Sequence, residues 1–179
     1  MQPPPQEIEA KLAIRDDATL RELRTLLARR TLGGYALRPH DAPEQQVNQY
    51  FDSADGRLRA RLHGLRIRSV GDRHTLTLKG PAQVVGDIHA RSEWEQPLER
   101  PSLDALPAGP LRDQVEQLSG GAPLHVVVTI HTQRSVIVVS RPSGKRALVE
   151  IALDDGRVEA NGRSLELREV ELELLPGGT

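Results

Sequence analysis

The chain has 179 residues, a formal net charge of −1, 27% charged residues, 2% aromatics and no cysteine. That length suits one domain with a buried core, and the core must be aliphatic. Disulfides and cysteine-based zinc sites are excluded, and so few aromatics disfavour a nucleic-acid reader that stacks bases.

No apolar run is long enough to span a bilayer, and the Met1-Gln2-Pro3-Pro4-Pro5 start lacks a basic, then apolar, leader pattern. The expectation is a cytoplasmic protein with no membrane partner. Residues 1–5 read as a disordered lead, residues 6–175 as one domain, and residues 176–179 as a linker or trimmed end.

A first strand is predicted over Gln6–Ile14. Ile8, Ala10 and Leu12 leave one face, and Glu7, Glu9 and Lys11 the other. Asp16 or Asp17 can cap the helix that follows. Thr19 and Glu22 have capping-box spacing, Leu20, Leu23 and Leu27 share a helical face, and Gly33-Gly34 is read as the helix end. Gln46–Asp52 is a second strand, and Gly56–His63 one or two Arg- and Leu-rich helical turns.

Leu65–Val70 puts Arg66 and Arg68 on one face, and His74–Gly80 puts Thr75, Thr77 and Lys79 on one face. Gly86 precedes a strand over Ile88–Gln96, where Arg91, Glu93 and Glu95 oppose Trp94. Leu103–Leu118 is helical and broken by proline. Leu124–Arg134 and Ser135–Arg141 are either a hairpin or one bent ribbon. Lys145–Asp154 is a strand. Asp155-Gly156 and Asn161-Gly162 read as hairpin turns, giving a meander that ends in Arg163–Leu175. Eight or nine strands with two helical segments predict a mainly β (α+β) fold: an antiparallel sheet or closed barrel with helices outside.

The charges are sorted by strand. Arg66, Arg68 and Lys79 lie on basic strands, Glu150, Asp154, Glu169, Glu171 and Glu173 on acidic ones. Same-face neighbours are about 7 Å apart, so like charges in a row need opposite charges nearby. If helices cover the apolar faces, the charged faces turn inward and line a polar tunnel. Clustered carboxylates suit hard cations such as Mg²⁺ or Mn²⁺. Arg66, Arg68, Lys79, Arg91 and Arg134 suit a polyphosphate. Together they describe metal-assisted phosphoryl chemistry.

Glu7-Ile8-Glu9-Ala10-Lys11 resembles the ExExK signature of the CYTH superfamily, the triphosphate tunnel metalloenzymes. Tyr50-Phe51-Asp52, Leu65-Arg66-Ile67-Arg68, Thr77-Leu78-Lys79-Gly80, Arg91-Ser92-Glu93-Trp94-Glu95, Leu148 to Gly156, and Glu169-Val170-Glu171-Leu172-Glu173-Leu174 follow in that family's order. The resemblance implies an eight-stranded antiparallel β-barrel (tunnel) with a charged interior. It implies hydrolysis of tripolyphosphate to pyrophosphate and phosphate with Mg²⁺ or Mn²⁺. Thiamine triphosphatase, class IV-type adenylyl cyclase, or non-catalytic polyphosphate binding are the alternatives, the last as the N-terminal part of a CYTH-CHAD protein.

By resemblance, Glu7 and Glu9 match the metal-binding acids, faced by Glu169 and Glu171. Lys11, Arg66, Arg68, Lys79, Arg91 and Arg134 match the phosphate-gripping bases. Glu150 and Asp154 match acids beside the metal or attacking water and complete a catalytic set with Glu7, Glu9 and Lys11. The family usually carries two bases around His131–Arg134; here Arg134 is the one permanent cation, with His131 nearby. The expected partner is a triphosphate or polyphosphate, for a monomer or homodimer.

Overall fold

The computed structural model describes residues 6–85, 88–144 and 146–176. In chain order these form β1 (Gln6–Ala13), α1 (Asp17–Leu27), β2 (Thr31–Leu32), β3 (Tyr35–Pro39), β4 (Glu44–Ser53), α2 (Arg57–Ala60), β5 (Gly64–Val70), β6 (Arg73–Lys79), β7 (Gln83–Val85), β8 (Ile88–Leu98), a 3₁₀ turn (Leu103–Ala105), α3 (Pro110–Ser119), β9 (Leu124–Ser140), β10 (Ala147–Ala160) and β11 (Arg163–Leu174). The predicted lead, Gly86, Lys145 and the last three residues lie outside the described residues.

Eight strands close into an antiparallel ring, β9-β10-β11-β1-β8-β6-β5-β4, with β4 returning to β9. β5 therefore stands four strands from β11 in either direction, straight across the barrel. β3, with β2, adds to β9 outside the ring, and β7 adds to β8.

Closure turns the strand faces as the charge pattern requires. Leu65, Ile67, Leu76 and Leu78 are 0% exposed because they point outward beneath α2, α3 and the 3₁₀ turn, with Leu58, Leu106 and Val115. α1 covers the other side, where Leu20 and Leu27 pack on Ile137, Ile151, Leu153 and Val170. Each such buried aliphatic side chain contributes about 2 kcal/mol by leaving water. The alternate residues, which carry the charges, are left to the lumen.

Local signals account for most element ends. The Asp16 side chain accepts from the Thr19 amide at 2.8 Å and starts α1. The Asp52 carboxylate accepts from the amides of Leu58, at 2.9 Å, and Arg59, at 3.2 Å, and fixes α2 against the end of β4. Asn161 (φ +51°) and Gly162 (φ +71°) make the left-handed pair of a tight hairpin between β10 and β11.

Two local expectations are corrected, at Gly33-Gly34 and at Asp155-Gly156. α1 ends at Leu27, and Gly33 (φ +55°) with Gly34 (φ +83°) instead form the β2–β3 hairpin turn. Asp155-Gly156 is not a turn, since β10 runs through it to Ala160. Gly156 is required there by close approach: a Cβ would lie 1.9 Å from the His131 carbonyl oxygen on β9. Of the two forms expected for residues 124–140, the structure has the single ribbon, one strand of 17 residues, and not the hairpin. His131 lies on the outer face, 3.6 Å from Glu159, while Thr132 and Arg134 take the inner one.

Candidate active site

All twelve residues singled out from the sequence line one cavity of about 1730 Å³: Glu7, Glu9, Lys11, Arg66, Arg68, Lys79, Arg91, Arg134, Glu150, Asp154, Glu169 and Glu171. They come from seven strands, which no local pattern could have joined. Asn48, Tyr50, Glu93, Glu95, Thr132 and Glu173 line it as well. Of these, Glu93 and Glu173 matter most electrostatically. The sequence signal for both was their place in the Arg91-Glu93-Glu95 and Glu169-Glu171-Glu173 alternations.

Two ion-pair networks occupy the wall. In the first, Lys79 Nζ lies 3.0 Å from Glu7 and 3.1 Å from Glu93. Arg91 donates to Glu7 at 2.9 Å and also to Glu9. Burial alone would raise both Glu7 and Glu93. Glu7 is nevertheless held down at about 2 by its hydrogen bond with Glu93 and by the Lys79 charge. Glu93 goes the other way, to about 7, because burial and the neighbouring Glu7 outweigh Lys79.

In the second network, Arg134 donates from Nε to Asp154 at 2.9 Å and from its terminal nitrogen to Glu171 at 2.6 Å. Lys11 pairs with Glu171 and stands 3.8 Å from Glu169. Burial opposes ionisation of Glu171, but Arg134 and Lys11 hold it near 2. Glu169 is raised by burial and by the adjacent Glu171 and Asp154 charges, against the pull of Lys11.

The register shifts one expected facing. Glu173, not Glu171, is the β11 partner of Glu9, and Glu150 is the β10 partner of Glu173. Glu171 pairs with Lys11, and Glu169 with Ala13. Glu169, Glu171 and Asp154 gather, with one carboxylate oxygen of each within 4.8 Å of the others. Three hard oxygen donors at that spacing fit Mg²⁺ or Mn²⁺.

Across the lumen, β5 presents the complement. Arg68 has no carboxylate partner among the described residues; its Nε donates to Asn48 Oδ1 at 3.1 Å. Burial and repulsion from Arg66 and Arg134 lower its pKa to about 10. Arg66 is 6% exposed, donates to Thr77 at 3.2 Å, stands 3.7 Å from Glu93 and leaves its Nε without a partner. A buried donor left open and a cation lacking a counter-charge are both satisfied by an anion.

A family model described as the CYTH domain matches residues 5–178. The chain belongs to the CYTH family. It is 32% identical over 178 residues to an inorganic triphosphatase of Haemophilus influenzae, covering 96% of this chain and 46% of that protein. The chain thus spans about half the length of this curated relative. Among solved structures, HpAC1 from Hippeastrum superposes with a TM-score of 0.68 at 20% identity, over 95% of this chain and 80% of that one. It is a candidate adenylyl cyclase for which a dominant triphosphatase activity is described. A candidate adenylate cyclase from Bacillus halodurans superposes with a TM-score of 0.58 at 22% identity, over 95% of this chain and 81% of that one. At these identities the two structures share the fold of this CYTH chain.

Proposed function

We propose that this CYTH domain hydrolyses inorganic triphosphate to pyrophosphate and phosphate with a divalent cation. The observation that carries this reading is the opposition of Arg66 and Arg68 on β5 to the Asp154, Glu169 and Glu171 carboxylates on β10 and β11, across one closed lumen. A pure polyanion binder gains nothing from carboxylates facing its phosphates. The triphosphatase relative from Haemophilus influenzae supports the same substrate class.

In this reading Arg66 and Arg68 hold the phosphate chain, since they lack full counter-charges at rest. Lys11, Lys79, Arg91 and Arg134 exchange part of their carboxylate contacts for phosphate oxygens as substrate enters. Asp154, Glu169 and Glu171, with Glu7 and Glu9 on the neighbouring β1, would hold Mg²⁺ or Mn²⁺. Bound there, the cation supplies charge neutralisation and a more acidic water. Water adds to a terminal phosphorus, the anhydride bond breaks, and pyrophosphate leaves. Glu150 has no ion-pair partner among the described residues. With Glu95 and Glu173 it is one of the described wall carboxylates without an ion pair, and in this reading it is the one that takes the proton from the attacking water.

The test is phosphate, pyrophosphate and cyclic AMP release from tripolyphosphate, thiamine triphosphate, ATP and long-chain polyphosphate, each with Mg²⁺ or Mn²⁺. The expected result is phosphate and pyrophosphate release from tripolyphosphate that depends on the metal. Tight polyphosphate binding without release under either metal would replace the enzyme with a binding module.

A further inference from the structure

One outer surface of the barrel carries cations without counter-ions. Arg29 and Arg30 follow α1, Arg38 lies on β3, and Arg141 and Arg146 flank the turn between β9 and β10; all five are exposed. Backbone pairing brings them together. The Leu37 amide donates to the Arg30 carbonyl at 2.8 Å, and the Gly144 amide to the Arg141 carbonyl at 3.0 Å. Arg38 donates to the Gly144 carbonyl at 2.9 Å. Ala147 stands opposite Ser140, so Arg146 and Arg141 are the next residues on those two strands. Residues 28–40 and 141–146 contain no aspartate or glutamate. None of the five arginines has an ion pair among the described residues, whereas Arg57, Arg112 and Arg157 each meet a surface carboxylate.

The same surface ends in an apolar tip. Leu32 and Tyr35 are direct partners across the β2–β3 hairpin, so their side chains share a face. Leu32 is 38% exposed and Tyr35 46% exposed, so neither is held in the core. Gly33 and Gly34 make the turn between them and add no side chain. β3 pairs with β9 as far as Ala36 opposite Ser140, so Tyr35 and Arg141 come next on the two strands. A single exposed leucine is ordinary. An aliphatic and an aromatic side chain on one tight turn, beside arginines that lack counter-ions, form a pattern with a physical use. Apolar groups enter the acyl boundary of a bilayer while guanidinium groups stay among anionic headgroups. Tyrosine suits that boundary, because its ring is apolar and its hydroxyl polar. A soluble polyanion would satisfy the arginines and leave Leu32 unused.

We propose that the β2–β3 hairpin is a peripheral docking surface for an anionic lipid bilayer, with Leu32 and Tyr35 at the headgroup boundary and the five arginines on lipid phosphates. The expectation of no membrane partner rested on the lack of a spanning segment. No helix among the described residues is long and apolar enough to cross a membrane, and docking on the surface needs none. The inference is independent of the triphosphate reading, since none of these residues lines the lumen.

The test is flotation of the whole chain with vesicles of phosphatidylcholine alone and of phosphatidylcholine mixed with phosphatidylglycerol. The expected result is binding to the mixed vesicles only, lost at high salt. Arg29→Ala combined with Arg30→Ala is expected to lower partitioning by roughly 30-fold, the effect of removing two cations from a charged surface. Leu32→Ser combined with Tyr35→Ser is expected to lower it on the order of tenfold, through lost apolar insertion. All four positions are exposed, so the thermal midpoint holds in both variants. Arg68→Met, which alters the lumen, is expected to float as wild type does. The chain has no cysteine, so Leu32→Cys carries a single polarity-sensitive dye, whose emission shifts to the blue on mixed vesicles. Equal binding to both compositions, flotation unaffected by the arginine pair, or a dye that stays in water while the protein floats overturns the proposal. Loss of flotation in Arg68→Met overturns it too, by placing the lipid phosphate in the lumen. Retention on heparin without flotation gives the surface to a soluble polyanion instead.

Discussion

Arg134 and Asp154 are direct partners across β9 and β10, and the guanidinium donates from Nε and a terminal nitrogen to the two carboxylate oxygens. The same guanidinium bonds Glu171 at 2.6 Å. A side chain read from sequence as a phosphate ligand is thus, at rest, the internal counter-ion of the carboxylate cluster. On the proposed reading, a divalent cation would compete with Arg134 for Asp154 and Glu171 and, by taking its place, would free Arg134 for phosphate.

Asp154→Asn therefore weakens metal dependence more than substrate capture. With one hard donor removed, kcat/KM for tripolyphosphate is expected to fall on the order of 100-fold, a few kcal/mol of charge stabilisation. The half-saturating Mg²⁺ or Mn²⁺ concentration rises with it. A variant with unaltered metal titration would remove Asp154 from the site.

Glu9→Gln removes a carboxylate paired with Arg91. Turnover is expected to collapse while metal-free tripolyphosphate binding, read by calorimetry, strengthens, because Arg91 loses a competitor. Full metal-dependent activity in this variant would show that β1 carries no part of the metal chemistry.

Arg68 is a buried cation facing like charges, so it costs the empty fold stability and serves the ligand. Arg68→Met is expected to raise the thermal midpoint of the ligand-free protein. It should also raise KM by roughly 10- to 100-fold, the worth of one charge-assisted contact. A lower midpoint would mean that Arg68 is structural.

The pH profile has two limbs. Glu7 and Glu171 titrate near 2 in the fold, against an ordinary 4.5, so their stabilisation is complete above pH 4.5 and lost as pH falls toward 2. Glu93 titrates near 7, so the unfolded chain releases its proton first and stability declines from pH 4.5 to 7. The ligand-free midpoint is expected to peak between these limbs. Glu93→Gln should lessen the decline, to which the raised Glu169 and Glu173 also contribute, and keep the acid limb. A midpoint in the wild type that climbs from pH 4.5 to 7 would contradict this assignment.

Ligand linkage gives a further check. Tripolyphosphate with Mg²⁺ at about 100 times Kd adds about 2.7 kcal/mol of stability, a rise of roughly 5–10 °C for a domain of this size. An unchanged midpoint under those conditions would exclude a site in the lumen.

The sequence by itself determined which side chains could share a face. Period-two alternation in Glu7-Ile8-Glu9-Ala10-Lys11, Leu65-Arg66-Ile67-Arg68 and Glu169-Val170-Glu171-Leu172-Glu173 is local geometry, so the apolar and charged sets separate without any knowledge of the fold. The need to bury the apolar set under Leu20, Leu27 and Val115 then turned the charged set inward. Local signals reached less far at glycines. Gly33-Gly34 and Asp155-Gly156 both carry turn chemistry, yet one closes a hairpin and the other lets two strands touch at His131. What separates them is a contact with a strand more than twenty residues away.

Only the tertiary structure decided who faces whom. Register between β1 and β11 set Glu173 rather than Glu171 beside Glu9, and the ring order placed β5 across from β11. It also turned His131 outward, gathered Asp154 with Glu169 and Glu171, and left Arg68 without a carboxylate partner among the described residues. Alternation fixes a residue's face, but its neighbours on that face depend on strand order, register and closure. Those come from long-range pairing, and charge strength, competition and ligand fit follow from them.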